Sequence, residues 1–148
     1  MSLNILTSEN FSVSNKLENK LNQAFTLICN EENISNCSVN LKIIDNNEIR
    51  ELNKKYSNKN SPTNVLSFTN EDISKSVTGD LGDIAISYEY VKEESNEQNK
   101  KFDDHLIHML IHGIYHILGF DHKNNKMADL MENKEVKLLK QINIKNPY

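Results

Sequence analysis

All five histidines of this 148-residue chain fall between positions 105 and 122, in the run Asp104-His-Leu-Ile-His-Met-Leu-Ile-His-Gly-Ile-Tyr-His-Ile-Leu-Gly-Phe-Asp-His122. His112 and His116 are four apart, so on a helix their rings share one face about one turn apart. Gly119 then permits a sharp reversal that carries His122 back toward the same point. The helix supplies two imidazoles, the glycine turns the chain, and a third imidazole closes a three-nitrogen face. Three histidines leave one tetrahedral position open, which is the arrangement of a catalytic zinc ion. Nickel, cobalt and copper also suit three imidazoles.

His108 shares the stripe but lies roughly 12 Å along the helix from His116, too far to hold the same ion. Helix packing or lining of a cleft is its expected role. His105 is expected to be solvated near the helix start. Neither joins the ligand set.

These ligands need a helix, read from Asp103 to Leu118, and elements to hold it. Leu3 to Leu6 suits a short first strand. Leu17, Leu21, Phe25 and Ile28 mark a helical stripe between Val13 and Asn30. Val39, Leu41 and Ile43 alternate in a strand from Ser38 to Ile44. Asn46 or Asn47 is positioned to cap a helix running to about Tyr56. After a polar turn at Ser57 to Pro62, Val65 to Phe68 and the segment from Gly79 to Ser87 give two more strands. A charged stretch from Val91 to Lys101 leads into the histidine helix. Met127, Leu130, Met131, Leu138 and Ile142 indicate a closing amphipathic helix. The interleaved pattern predicts an α+β fold, a small mixed sheet of about four strands flanked by helices, with the metal site at a helix end and the following turn.

The length fits one domain, 1–148. With 17 basic and 21 acidic side chains the net charge is −4, which argues against a broad grip on DNA. No apolar run approaches the roughly 18 residues of a membrane span, and no basic-then-apolar leader opens the sequence. Cys29 and Cys37, distant in sequence from the histidines, are expected to be reduced structural thiols. A cytoplasmic location follows as the expectation.

The residue after the first ligand distinguishes two chemistries. Zinc peptidases of the H-E-x-x-H-x-x-G-x-x-H type place their general base there; this chain has Gly113. The full string His-Gly-Ile-Tyr-His-Ile-Leu-Gly-Phe-Asp-His122 closely resembles the signature of the YbeY-type endoribonucleases, also called rRNA maturation factors. Asn53-Lys-Lys-Tyr56, Ser61-Pro-Thr-Asn-Val-Leu-Ser-Phe68 and Gly82-Asp-Ile-Ala-Ile-Ser87 resemble that family's other blocks, in the same order. Together they span about residues 40 to 130.

The resemblance implies a zinc-dependent endoribonuclease acting on single-stranded RNA, in maturation of ribosomal RNA near the 3′ end of the small-subunit RNA and in ribosome quality control. Its partners would be ribosomal RNA or ribosomal particles. The family pattern usually has arginine after the tyrosine of the N-x-x-Y block; here that residue is Ser57. Lys59 matches a basic position of the same loop and is the candidate phosphate contact; Lys54 and Lys55 read first as a solvated turn. Asp121 is the candidate catalytic carboxylate, either orienting a histidine or assisting proton transfer, with a plain helix-terminus role standing beside these. Phe68 and Phe120 read first as core and second as surfaces on which RNA bases could stack. Asp80 and Asp83 are expected to shape a turn. Two other readings stand beside the nuclease: a zinc peptidase-like hydrolase with Asp121 as base, and a non-catalytic ribosome-associated metal-binding factor.

Overall fold

The computed structural model describes residues 2–70 and 79–148. Among them the chain runs β1 (Ser2–Thr7), α1 (Asn15–Glu31), β2 (Ser38–Ile44), α2 (Asn46–Ser57), β3 (Val65–Thr69), β4 (Asp80–Ser87), α3 (Tyr88–Glu97), α4 (Phe102–Ile117) and α5 (Asn125–Gln141). The sheet order is β1-β2-β4-β3. β1, β2 and β4 are parallel, and β3 is antiparallel to β4. The expected small mixed sheet is therefore present.

Period-2 side-chain alternation sorts the strands' residues between two faces. Val39, Leu41, Ile43, Ile84 and Ile86 meet α1 and α4 in the main core, with α5 packed behind them. Ile44, Ala85 and Leu66 point to the other face, where Ile49 and Leu52 of α2 cover them. Lys134 of α5 bonds to both carboxylate oxygens of Glu32, and Lys137 to Glu31, which ties α5 to the end of α1.

The helix starts follow side-chain capping. Ser14 accepts from the Leu17 N–H, Ser87 from Tyr90 and Asn124 from Met127, each satisfying a donor that the helix leaves open. α2 departs from expectation by one residue. Its cap is Asp45, whose carboxylate accepts from the Glu48 N–H at 2.8 Å, and Asn46 is already helical.

The larger difference is α3. The charged stretch before the histidine helix is itself partly helical, and it buries Val91 and Ser95 against α4. Of the two aspartates assigned to a turn, Asp80 accepts from the Gly82 N–H two residues on. Asp83, further along β4, accepts from the Asn40 side chain of β2. Cys29 and Cys37 are buried free thiols with their sulfurs 3.1 Å apart. Burial, reinforced by the hydrogen bond with Cys37, pushes the Cys29 thiol up to about 12. A protonated thiol is neither a nucleophile nor a metal ligand.

Candidate metal centre

α4 crosses the sheet face with Gly113 turned inward. The Gly113 carbonyl accepts from Ser67 Oγ of β3 at 3.0 Å. A Cβ at this position would stand 3.1 Å from two carbons of Ile84 and from Ser67 Oγ. The position at which a peptidase of the H-E-x-x-H type carries its glutamate is thus filled by the sheet. A larger side chain there would push β3 and β4 away from the helix rather than reach the histidines.

His112 and His116 project to the side of that contact and are partly buried. Their Nε2 atoms face each other at 3.0 Å. α4 ends as its sequence predicts: the Gly119 N–H bonds to the His116 carbonyl and the Phe120 N–H to the Tyr115 carbonyl, both at 3.0 Å. This pair of bonds is the Schellman closure, and it requires the left-handed conformation that Gly119 adopts at φ 101°. The reversal returns His122, whose ring centroid lies 5.1 Å from that of His116 and 5.8 Å from that of His112.

One ring nitrogen from each of the three histidines lies within 4.8 Å of the other two. Two nitrogens bound to one tetrahedral zinc at about 2.0–2.1 Å would be about 3.4 Å apart, close to the observed 3.0 Å between His112 and His116. The donor set fits a borderline divalent ion, and the cluster can hold a metal. The surroundings of His116 favour its neutral, donor-competent form. Burial lowers its pKa first, and proximity to His112 and His122 adds to that.

Each histidine has an outer partner. His112 Nδ1 meets Glu135 Oε2 of α5 at 3.0 Å. The Phe120 backbone lies beside the His116 ring. His122 Nδ1 lies 3.4 Å from Asp121 Oδ1, which also accepts the His122 backbone N–H at 2.7 Å. That backbone bond, above all, holds the Asp121 carboxyl below the usual carboxylate range. His122 is the exposed member of the three, so the site opens to solvent on its side.

The remaining expectations divide. His108 packs in the helix interface, where its Nε2 meets Glu135 Oε1. His105 is not solvated. It is 4 % exposed, and its Nε2 lies 2.9 Å from Glu94 Oε1 of α3. The reason for the difference is α3 itself, which covers the start of α4 and supplies the carboxylate. Asn64, in the block ahead of β3, donates to the same Glu94 oxygen at 3.1 Å. Lys59 is exposed on the loop between α2 and β3, and it forms no hydrogen bond or ion pair with the three imidazoles. Asn53, buried in α2, shapes that loop: its side chain donates to the Ser61 carbonyl, and its own carbonyl accepts the Lys59 N–H. Phe68 is half-buried with its ring edge-on to Tyr56, and Phe120 packs edge-on to buried Tyr115 beneath Lys134.

Asn53 and Glu135 join the neighbourhood of the site only through the fold. Both carried a signal: each is a polar residue on the apolar stripe of its helix, Asn53 after Ile49 and Glu135 between Met131 and Leu138.

Known proteins give a consistent result. A protein from Francisella philomiragia named Endoribonuclease YbeY is 38% identical over 152 aligned positions, which cover 100% of this chain and 95% of that protein. The Endoribonuclease YbeY of Francisella tularensis subsp. tularensis is 44% identical over 126 positions, covering 82% of this chain and 75% of the relative. The solution structure of TM1509 from Thermotoga maritima superposes with a TM-score of 0.67 at 29% identity, covering 95% of this chain and 89% of that one. With the family model described as Endoribonuclease YbeY matching residues 4–143, the chain belongs to the endoribonuclease YbeY family.

Proposed function

We propose that this chain is a zinc-dependent endoribonuclease that cleaves single-stranded RNA during ribosomal RNA maturation, with His112, His116 and His122 as the ligands of one zinc ion. The observation that carries the proposal is the convergence of three ring nitrogens within 4.8 Å at a helix end that opens to solvent. It occurs in a chain whose relatives bear the name endoribonuclease. No helix among the described residues is long and apolar enough to cross a membrane. Residues 1–148 acting as one domain in the cytoplasm, on ribosomal RNA or ribosomal particles, complete the reading.

When bound, zinc supplies Lewis acidity toward a phosphoryl oxygen and makes water more acidic. The chain's own residues do the positioning. Asp121 flanks the His122 ring from outside, and the Phe120 backbone flanks that of His116. Asp121, with one oxygen on the His122 backbone N–H and the same oxygen facing its ring, is best placed to orient His122. Lys59 supplies positive charge from the loop that Asn53 fixes, as a point charge without the fork of an arginine. Ser57, exposed at the end of α2, provides no cation.

The test is cleavage of a labelled single-stranded RNA by zinc-loaded protein, beside His116→Ala and a chelated sample. The expected result is cleavage by the loaded protein and none in either control. Folded, zinc-loaded protein that leaves RNA intact would overturn the nuclease reading.

A further inference from the structure

Glu135 sits where an acid is costly. It lies on α5 with no measurable exposure, on the stripe that also carries the core residues Met131 and Leu138. A buried carboxylate must be paired or it destabilises the fold. Here both oxygens are used. Oε1 accepts from His108 Nε2 at 2.5 Å and from the Tyr148 hydroxyl at 2.8 Å; Oε2 faces His112 Nδ1 at 3.0 Å.

The bond to His112 has a directional consequence. A carboxylate only accepts, so the single N–H of a neutral His112 ring must sit on Nδ1. Nε2 then keeps its lone pair, and Nε2 is the nitrogen that faces His116 at 3.0 Å. The opposite tautomer would aim a proton into the space that the three imidazoles share. His108 and Tyr148 occupy the other oxygen, so the carboxylate cannot rotate away without losing two further bonds. The Tyr148 ring also stands edge-on to His108 at 5.5 Å.

We propose that Glu135 is the positioning residue of the metal centre: it fixes the tautomer and ring orientation of His112, and His108 and Tyr148 fix Glu135. This rests on His112, His116 and His122 being the metal ligands. Hydrogen-bonded carboxylates behind metal-binding histidines commonly change metal affinity by about 10–100-fold when they are removed.

Glu135→Gln and Tyr148→Phe test the assignment. Glu135→Gln keeps the shape of the side chain, but an amide N–H turned toward His112 favours the tautomer with its proton on Nε2. Tyr148→Phe deletes one hydroxyl from a residue that is 59% exposed, so it spares the fold if Glu135→Gln does not. Three quantities are measured: zinc affinity by competition with a chromophoric chelator, the His112 tautomer in metal-free protein by ¹⁵N NMR, and the thermal midpoint.

The expected results are an Nδ1–H tautomer for wild-type His112, about 10–100-fold weaker zinc binding in Glu135→Gln, and a smaller loss in Tyr148→Phe at an unchanged midpoint. Wild-type zinc affinity in both folded variants, or an Nε2–H tautomer in the wild type, would overturn the role of Glu135 and leave the three-histidine site standing. Failure of the wild-type protein to bind zinc would instead remove the ligand assignment, and this inference with it.

Discussion

The two halves of α4 carry the same residue at helical spacings and use it differently. His105 and His108, 4% and 5% exposed, each turn Nε2 to a carboxylate from a neighbouring helix, Glu94 of α3 and Glu135 of α5. His112 and His116, only partly buried, turn Nε2 toward each other. The first pair joins helices; the second is open to a third ligand brought by the Gly119 turn. Spacing along one helix therefore nominates ligands, and what the adjacent helices place opposite each ring decides among them. Glu135 touches both halves, with one oxygen for His108 and the other for His112.

The largest effect should come from the open half. His116→Ala should weaken zinc binding by more than about 100-fold, exceeding any change made behind the ligands, while His105→Gln leaves zinc affinity within about twofold of wild type. Chelator competition measures both. Equal losses would erase the distinction between the halves.

A second test uses the side of α4 that faces the sheet. Gly113→Glu restores the peptidase pattern in sequence but places a side chain against Ile84 and Ser67. Overpacking a tight contact costs about 1–3 kcal/mol, so the urea midpoint should fall and no peptidase activity should appear. A stable variant that hydrolyses peptide would contradict the packing account.

The buried half should also announce itself through pH. Burial, partly opposed by Glu94, lowers the His105 pKa from 6.5. Below that value the unfolded imidazole takes up a proton that the folded one resists, so the unfolded state binds more protons and acid favours it. The contribution of neutral His105 is complete above 6.5 and is lost as pH falls toward the lower folded value. Between pH 7.5 and 5.5, His105→Gln should therefore lose less stability than wild type, read from urea midpoints.

The smallest expected effect lies outside α4. Lys59→Ala should raise KM for RNA by about two- to fivefold, as removal of one phosphate contact does, with zinc affinity unchanged. An unchanged KM would return Lys59 to a solvated loop.

Much of this arrangement is legible in the sequence because it depends on local rules. Alternation marks β2, the Leu17–Ile28 stripe marks α1, and Gly119 three residues before His122 marks the reversal. Legibility fails where partners come from elsewhere in the chain. α3 buries only Val91 and Ser95, so its sequence reads as charged coil, although Ser87 is a usable N-cap. α3 is the element that sets a carboxylate against His105. Glu135 stands on the apolar stripe of α5, but which groups it meets, His108 and His112, is known only from the fold. Asn53 likewise shows its purpose only when the Ser61 carbonyl returns to it.

The central claim is that one metal ion sits among His112, His116 and His122, and the most direct measurement is an anomalous difference map at the zinc edge from zinc-soaked crystals. The account predicts a single strong peak about 2.0–2.1 Å from a nitrogen of each of the three rings. A peak at the Cys29–Cys37 pair or beside His105, with none at the end of α4, would contradict it.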